Sequence, residues 1–539
     1  MYSVRMPTCA DAIAATLRDA GVEVVFGLPG GEVLDLIEAC RRAGLRFLLT
    51  RHEATASLMA DAAGQMARRP AVCVSTLGPG AVNMTLGVAN AYLDRSPLIA
   101  ITATLARASA PVATHQALDL EAVYRPFTKL TMTLDAVDTA AKVRHALAVA
   151  AAPRMGPVHL ALPSDVARTG DAVGPGMDLP EPPGSAGSAD AGALDRAAAE
   201  LSRARRPILI LGLDIDPTRD TPAVRAFVDA MGLPVFVTPK AKGIVPEDHP
   251  LYCGVCAGVS GDAVVLEQFA RADLLVGIGF DPVESDKLWH ATMRLMSIGP
   301  VSIAAGAYRP FFEVVGDLRA SLADLSGRSW GPFDWPRDEC ARFRARLDDR
   351  LRPERPPDGL SGYELTRRLR ALCPRDTIMT TDVGSVKLVT TQAWQAYAPL
   401  TFFESNGLSA MSYSVAAAMA ARLRFPDRPV VCTVGDGGFS MTMAEIETCV
   451  RERLPFLTVV YNDSSLSLID VAQQRRGYPT IGVRYGAIDF AKASEAMGAW
   501  ACRVSTPDEL DRAVCEALRV DRPAVIDAKV DPFAYGVRS

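Results

Sequence analysis

The chain has 539 residues, 49% of them apolar and only 6% aromatic, with a formal net charge of −5. That length suggests about three domains, each able to bury a core without disulfide staples. Both charge signs are mixed along the chain with no basic stripe, which argues against a nucleic-acid partner. No uncharged apolar run of about 18 residues calls for a membrane span.

The start, MYSVRMPTCADAIAATLRDAG, lacks the apolar core of a signal peptide. The 11 cysteines are scattered at irregular spacings, which fits a reducing cytoplasm better than a disulfide framework. Cys253 and Cys256 form one CxxC with no second Cys/His pair nearby. Two small apolar residues beside a turn explain it better than a metal site.

The first 165 or so residues alternate helix-like and strand-like stretches. A helix is expected over 10–20 and strands over 22–26, 47–50, 71–76 and 98–103. The stretch GDAVGPGMDLPEPPGSAGSAD is rich in Gly, Pro and Ser and reads as a linker. Strands are expected next over 207–211, 234–237 and 274–278, then a second linker rich in Pro and charge, helical in part over 338–350. The last block offers strands over 377–380, 430–434 and 456–461. This pattern predicts an α/β protein of three doubly wound parallel-sheet domains. The expected bounds are 1–169, 193–326 and 360–539, with linkers over 170–192 and 327–359. Nothing in the sequence shows whether the three share one topology.

The richest stretch is VVCTVGDGGFSMTMAEIETCVRERLPFLTVVYND. A strand runs into Gly435-Asp436-Gly437-Gly438, a helix follows over about 443–453, and a second strand ends at Asn462-Asp463. Parallel strands present their carboxyl ends on one edge, where open α/β sheets bind ligands. Asp436 and Asp463 therefore converge, and two carboxylates with phosphate oxygens and water suit octahedral Mg²⁺. Glycines let backbone approach a diphosphate closely. A lone GDG could be only a tight turn.

A second signal is TRHEATASLMADAAGQMARRPAVCVSTLGPGAVN. Glu53 follows a short strand and opens an alanine-rich helix. Taken alone it could be an acid complementing the helix macrodipole.

Together these stretches resemble the thiamine-diphosphate-dependent enzymes, and among them the acetolactate synthases. The metal motif resembles that family's GDG and Asn-Asn signature, with Asp463 in place of the second Asn. Arg51-His52-Glu53 and Gly78-Pro79-Gly80-Ala81-Val82-Asn83 resemble its glutamate segment. The resemblance implies Asp436, Asp463 and the Ser465 carbonyl as Mg²⁺ ligands, and Gly435, Gly437 and Gly438 as the diphosphate cradle. It implies Glu53 as the catalytic carboxylate, hydrogen-bonded to the cofactor's aminopyrimidine so that the ring can remove the thiazolium proton. That chemistry needs a carboxylate in a dry pocket, able to share a proton.

Further segments carry the resemblance. SNGLSAMSYSV, from Ser405, places Met411 as the wedge under the cofactor, with Ser409 and Ser412 where glycines are usual; a core Met on a buried helix is the plainer reading. Asp382-Val383-Gly384-Ser385 resembles the loop that meets the diphosphate from the other side. FGLPGG puts Gly30 near the reacting carbon. Thr114-His115-Gln116-Ala117 puts His115 and Gln116 toward the substrate, with His115 open to a proton-donating, anion-binding or purely structural part. Six histidines include no His-His pair, which argues against decarboxylases that carry one. In LSLIDVA, Leu468 takes a Met position and Ala472 falls near a pocket Trp, implying a wider or differently shaped acceptor pocket.

The resemblance implies decarboxylation of a small 2-oxo acid with carboligation, through a C2 carbanion and enamine. A simple 2-oxo acid decarboxylase, an acyloin or 2-hydroxyacyl-CoA lyase, and an inactive cofactor-binding paralogue stay open. It also implies a homodimer or homotetramer with its active site at a subunit interface. In the central block the FAD-binding Arg-Phe-Asp-Asp is replaced by Asp281-Pro282-Val283-Glu284, so FAD is not expected. A dehydrogenase is disfavoured because no GxGxxG follows a strand.

Overall fold

The computed structural model describes residues 7–174, 184, 187–256, 258–285, 293–304, 309–353 and 357–535. The first sheet holds β1 (Val24–Leu28), β2 (Arg46–Leu49), β3 (Ala71–Ser75), β4 (Leu98–Thr104), β5 (Leu130–Thr133) and β6 (Pro157–Pro163), in the order β2-β1-β3-β4-β6-β5. The second holds β7 (Pro207–Leu211), β8 (Val235–Val237), β9 (Tyr252–Val255), β10 (Leu274–Ile278), β11 (Leu295–Gly299) and β12 (Phe312–Val315), in the order β12-β11-β10-β7-β8-β9. The third holds β13 (Ile378–Thr381), β14 (Phe402–Glu404), β15 (Val430–Gly435), β16 (Leu457–Asn462), β17 (Trp500–Val504) and β18 (Ala524–Lys529), in the order β14-β13-β15-β16-β18-β17.

Every pairing is parallel. The central strands read as apolar runs, such as PILIL and LLVGI, because helices cover both faces. The first and third sheets share one topology. The middle sheet, read from its other edge, has the strand order of dinucleotide-binding folds.

The chain forms two compact units, Met1–Gly184 with Gly407–Arg424, and Ser185–Asn406 with Phe425–Ser539. In the first unit the helices Glu53–Ala67 and Pro79–Leu93 cross closely because Gly87 is bare. A methyl there would fall 2.4 Å from the Leu58 nitrogen and the Ser57 Oγ. In the second, the helix Glu339–Leu351 lies within the stretch expected as a linker, and it buries Cys340, Phe343, Leu347 and Leu351 in the same core as β9. Of the first expected linker, 175–183 and 185–186 lie outside the described residues, and the helix Ala191–Arg203 begins just inside its far end.

The helix expected over 443–453 is Glu445–Arg451, and a further short helix, Asp436–Thr442, precedes it. Helical hydrogen bonding starts at the GDG itself, since bare glycines allow the chain to turn straight off β15. Among the described residues no helix is long and apolar enough to cross a membrane.

Candidate active site

In the first and third sheets the chain steps outward from the first strand, then crosses to the other side. The loops therefore part at the carboxyl ends between β1 and β3, and between β13 and β15. Such switch points are where open parallel sheets leave a crevice.

At the first switch point, Glu53 is the opening residue of its helix and is buried, 5% exposed. Its Oε2 accepts a hydrogen bond from the Asn83 Nδ2 at 3.0 Å. A methyl on Gly80 would fall 3.1 Å from Glu53 Oε1 and 2.9 Å from Thr76 Cγ2. A methyl on Gly30 would fall 2.5 Å from the Thr76 Cβ. Thr76, which the sequence did not single out, thus sits between Gly30 and Gly80, and its hydroxyl donates to Glu32 at 2.6 Å. Gln116 packs its side chain against Gly78, where both backbones are left-handed (φ 55° and 61°). His115 is exposed on the same loop. Lys129 donates to the carbonyls of Val149 and Ala152, so it ties down a helix end.

At the other switch point, Asp436 is 2% exposed. Its Oδ2 accepts from the backbone amides of Asp463 (3.1 Å) and Ser464 (2.5 Å), and its Oδ1 from the Gly437 amide (2.7 Å). The loops after β15 and β16 are thereby locked together. Burial raises the Asp436 carboxyl above its ordinary value, against the pull of these donors. Asp463 Oδ2 accepts from the Tyr535 hydroxyl at 2.9 Å, while its Oδ1 is buried with no hydrogen-bond partner. Burial first, and the Asp436 charge second, push Asp463 up to about 7. Two acidic groups held together, one buried and one half-buried with an orphaned oxygen, fit a divalent cation that would neutralise them. With the Ser465 carbonyl they would offer three oxygens to such an ion.

Two glycines of these loops face open space. A methyl on Gly435 would meet nothing closer than Val386 at 4.0 Å, and one on Gly384 nothing within 4 Å. Gly438 is different: a methyl there would strike Asp382 Oδ2 at 2.2 Å, so this glycine serves packing. Ser385 opens the helix Ser385–Ala393, and its hydroxyl lies 2.9 Å from that of Ser467. Ser467 begins the helix Ser467–Arg475, whose half-buried Leu468 is next in line. Ser409 and Ser412 hold left-handed backbone (φ 55° and 77°), so the conformation suited to glycine is kept with serine side chains. Half-buried Met411 lies between them, directly before the helix Tyr413–Arg424.

The middle sheet has its switch point between β7 and β10, and a side chain fills it. Glu284 is 4% exposed and accepts from the Leu213 amide (3.0 Å), the Thr238 hydroxyl (2.6 Å) and the Lys240 amide (3.0 Å). Burial pushes its carboxyl up to about 8. The backbone amides of Leu213 and Lys240 at this switch point are thus taken up by a carboxylate of the chain itself. Cys253 and Cys256 are buried free thiols, and among the described residues no three His, Cys, Asp or Glu cluster as a metal site.

Two tyrosines escaped the sequence reading. Tyr535 comes from the far end of the chain and Tyr485 from the loop after the metal motif, and neither belongs to a motif. Tyr485 donates to Asp436 Oδ1 at 2.5 Å.

Comparison with known proteins agrees with this geometry. The thiamine pyrophosphate enzyme N-terminal TPP binding domain matches residues 7–123, the central domain 194–325, and the C-terminal TPP binding domain 382–528. Acetolactate synthase of Bacillus subtilis is 29% identical over 97% of this chain and 93% of that protein. Acetolactate synthase large subunit of Corynebacterium glutamicum is 30% identical over 96% of this chain and 86% of its own length. A probable 2-ketoarginine decarboxylase of Pseudomonas aeruginosa is 29% identical over 94% of this chain and 90% of that protein. Two half-sites at equivalent switch points and matches along nearly the whole chain lead to one conclusion: this protein belongs to the thiamine-pyrophosphate-dependent enzymes and is acetolactate-synthase-like.

Proposed function

We propose that the protein decarboxylates a small 2-oxo acid and joins the remaining fragment to a second carbonyl compound, as a Mg²⁺-dependent carboligase. The observation that carries this reading is buried Asp436 next to half-buried Asp463, with its orphaned Asp463 oxygen, beside the open space over Gly435. Bound thiamine diphosphate would supply the electron sink for the carbon that loses CO₂.

The chain's own residues do the rest. Asp436, Asp463 and the Ser465 carbonyl hold the cation that anchors the diphosphate. Gly384, Ser385, Gly435 and Gly437 give that diphosphate close backbone approach, and Gly438 keeps Asp382 tucked beneath it. Ser409 sets the backbone turn that presents Met411 as an apolar support. Glu53, kept from water and oriented by Asn83, would present its carboxyl group to the cofactor ring. Gly30, His115, Gln116 and Leu468 are assigned to the substrate side. Activity requires a homodimer or homotetramer, in which Glu53 of one subunit serves the diphosphate half of another. The eleven free cysteines suit a reducing, cytoplasmic setting.

A second reading is a 2-oxo acid decarboxylase without carboligation, favoured by the decarboxylase among the relatives and by Leu468 and Ala472 at the acceptor positions. Product analysis separates the two. Pyruvate alone, and pyruvate with an added aldehyde or second 2-oxo acid, should yield a hydroxy-ketone or 2-hydroxy-2-alkyl-3-oxo acid. Release of free aldehyde alone would favour the decarboxylase.

A further inference from the structure

Tyr485 stands 22 positions beyond Asp463 in the chain, yet its hydroxyl reaches the centre of the proposed cation site. The oxygen lies 2.5 Å from Asp436 Oδ1 and 3.3 Å from the Ser465 carbonyl oxygen. These are two of the three protein oxygens assigned to the metal. The third, Asp463 Oδ1, is buried and has no hydrogen-bond partner. The geometry points to Tyr485 as the residue that occupies the cation position while the protein is metal-free, bracing the ligand oxygens until the cation displaces it. The inference rests on the metal-site reading above and adds a residue to it.

The physical case is one of shared lone pairs. Mg²⁺ sits about 2.0–2.1 Å from its oxygen ligands. A cation bridging Asp436 Oδ1 and the Ser465 carbonyl at that distance would crowd the phenol oxygen, which already lies against both. The hydroxyl hydrogen also takes the lone pair on Asp436 that the metal requires. A neutral phenol donor to a carboxylate is a good partner when no cation is present, and it partly answers the cost of burying Asp436 beside Asp463. Entry of a divalent ion makes the same hydroxyl redundant.

The surroundings let it leave. Tyr485 is 37% exposed, so its ring has a path to solvent. It lies between Gly482, whose φ is 69°, and Gly486, beside which a methyl would meet nothing within 4 Å. The residue before it is anchored separately: Arg484 pairs with Asp470 at 3.0 Å, and Thr480 donates to the same carboxylate at 2.8 Å. The tyrosine can therefore turn out of the site without unthreading the loop that carries it.

If a competitor occupies the site, the apparent metal affinity is lowered by the fraction of protein in which the site is closed. The test is Mn²⁺ binding followed by electron paramagnetic resonance, on full-length protein stripped with a chelator, with and without thiamine diphosphate. Wild type is compared with Tyr485→Phe, with Tyr485→Leu, and with Tyr478→Phe, an exposed tyrosine of the same loop. The expected result is Mn²⁺ binding tightened about tenfold in both Tyr485 variants, as for loss of one charge-assisted competing hydrogen bond, and unchanged in Tyr478→Phe. Wild-type binding that the Tyr485 variants leave unchanged or weaken overturns the proposal alone. No Mn²⁺ binding by wild type under either condition overturns the metal-site reading, and the proposal with it.

Discussion

The backbone amide of Asp463 donates to Oδ2 of Asp436 at 3.1 Å, across the carboxyl ends of β15 and β16. One carboxylate is thus satisfied by the other's own main chain. The two acids are held side by side whether or not a cation is present. The arrangement is preorganised for a divalent ion and electrostatically unfavourable without one.

Asp463→Asn should make that trade visible. It keeps an oxygen ligand and removes the half-buried one of two adjacent charges. At pH 8 the metal-free variant should melt several degrees above wild type, while its Mn²⁺ affinity falls about tenfold. Thermal melts with and without chelator check both halves.

Two glycines of the same motif should part company. Gly435→Ala has room for its methyl, nearest neighbour 4.0 Å, and an ordinary φ of −72°. It should fold with an unchanged melting temperature and lose thiamine diphosphate affinity, because the methyl fills the space assigned to the diphosphate. Gly438→Ala would collide with Asp382 at 2.2 Å. It should cost about 2–4 kcal/mol of stability as an overpacked core position. Calorimetric cofactor titration beside thermal melts distinguishes them.

Gly80→Ala probes the other half-site. Its methyl would press on Glu53 Oε1 and Thr76 at 3.1 and 2.9 Å. The carboxylate should be displaced by a few tenths of an ångström, lowering kcat about 10- to 100-fold with a stability loss near 1 kcal/mol. Single-turnover CO₂ release and melting curves are the readouts.

Glu284 should leave a pH signature. Burial raises its folded carboxyl to about 8, above the ordinary value of about 4.3 in the unfolded chain. Between those values the folded state holds the extra proton, so its stabilising contribution is full below about pH 4 and is lost as pH rises through 8. The stability of wild type relative to Glu284→Gln should therefore fall by up to about 4 kcal/mol between pH 5 and pH 9. Denaturant melts of both proteins across that range check the sign.

Much of this was legible in the sequence. The apolar runs of β7 and β10 appear with their observed bounds, and both half-sites lie in short motifs whose glycines and acids are local. The short helix Asp436–Thr442 was not legible, since its opening glycines read as a turn. The helix Glu339–Leu351 was legible within its charged stretch, but its burial was not, because that depends on β9, far away in sequence. Thr76, Glu284, Tyr485 and Tyr535 matter through distant partners, which periodicity cannot reveal. That the first and third sheets share a topology while the middle one differs depends on strand order, which the alternation of helices and strands leaves undetermined.

The most direct measurement is CO₂ release from pyruvate and a panel of other 2-oxo acids, with and without thiamine diphosphate and Mg²⁺, for wild type and Glu53→Gln. Release that needs both additions, and that drops at least about 100-fold in a Glu53→Gln protein of unchanged melting temperature, is the expected result. Release by Glu53→Gln at the wild-type rate, or release independent of thiamine diphosphate, would contradict the assignment.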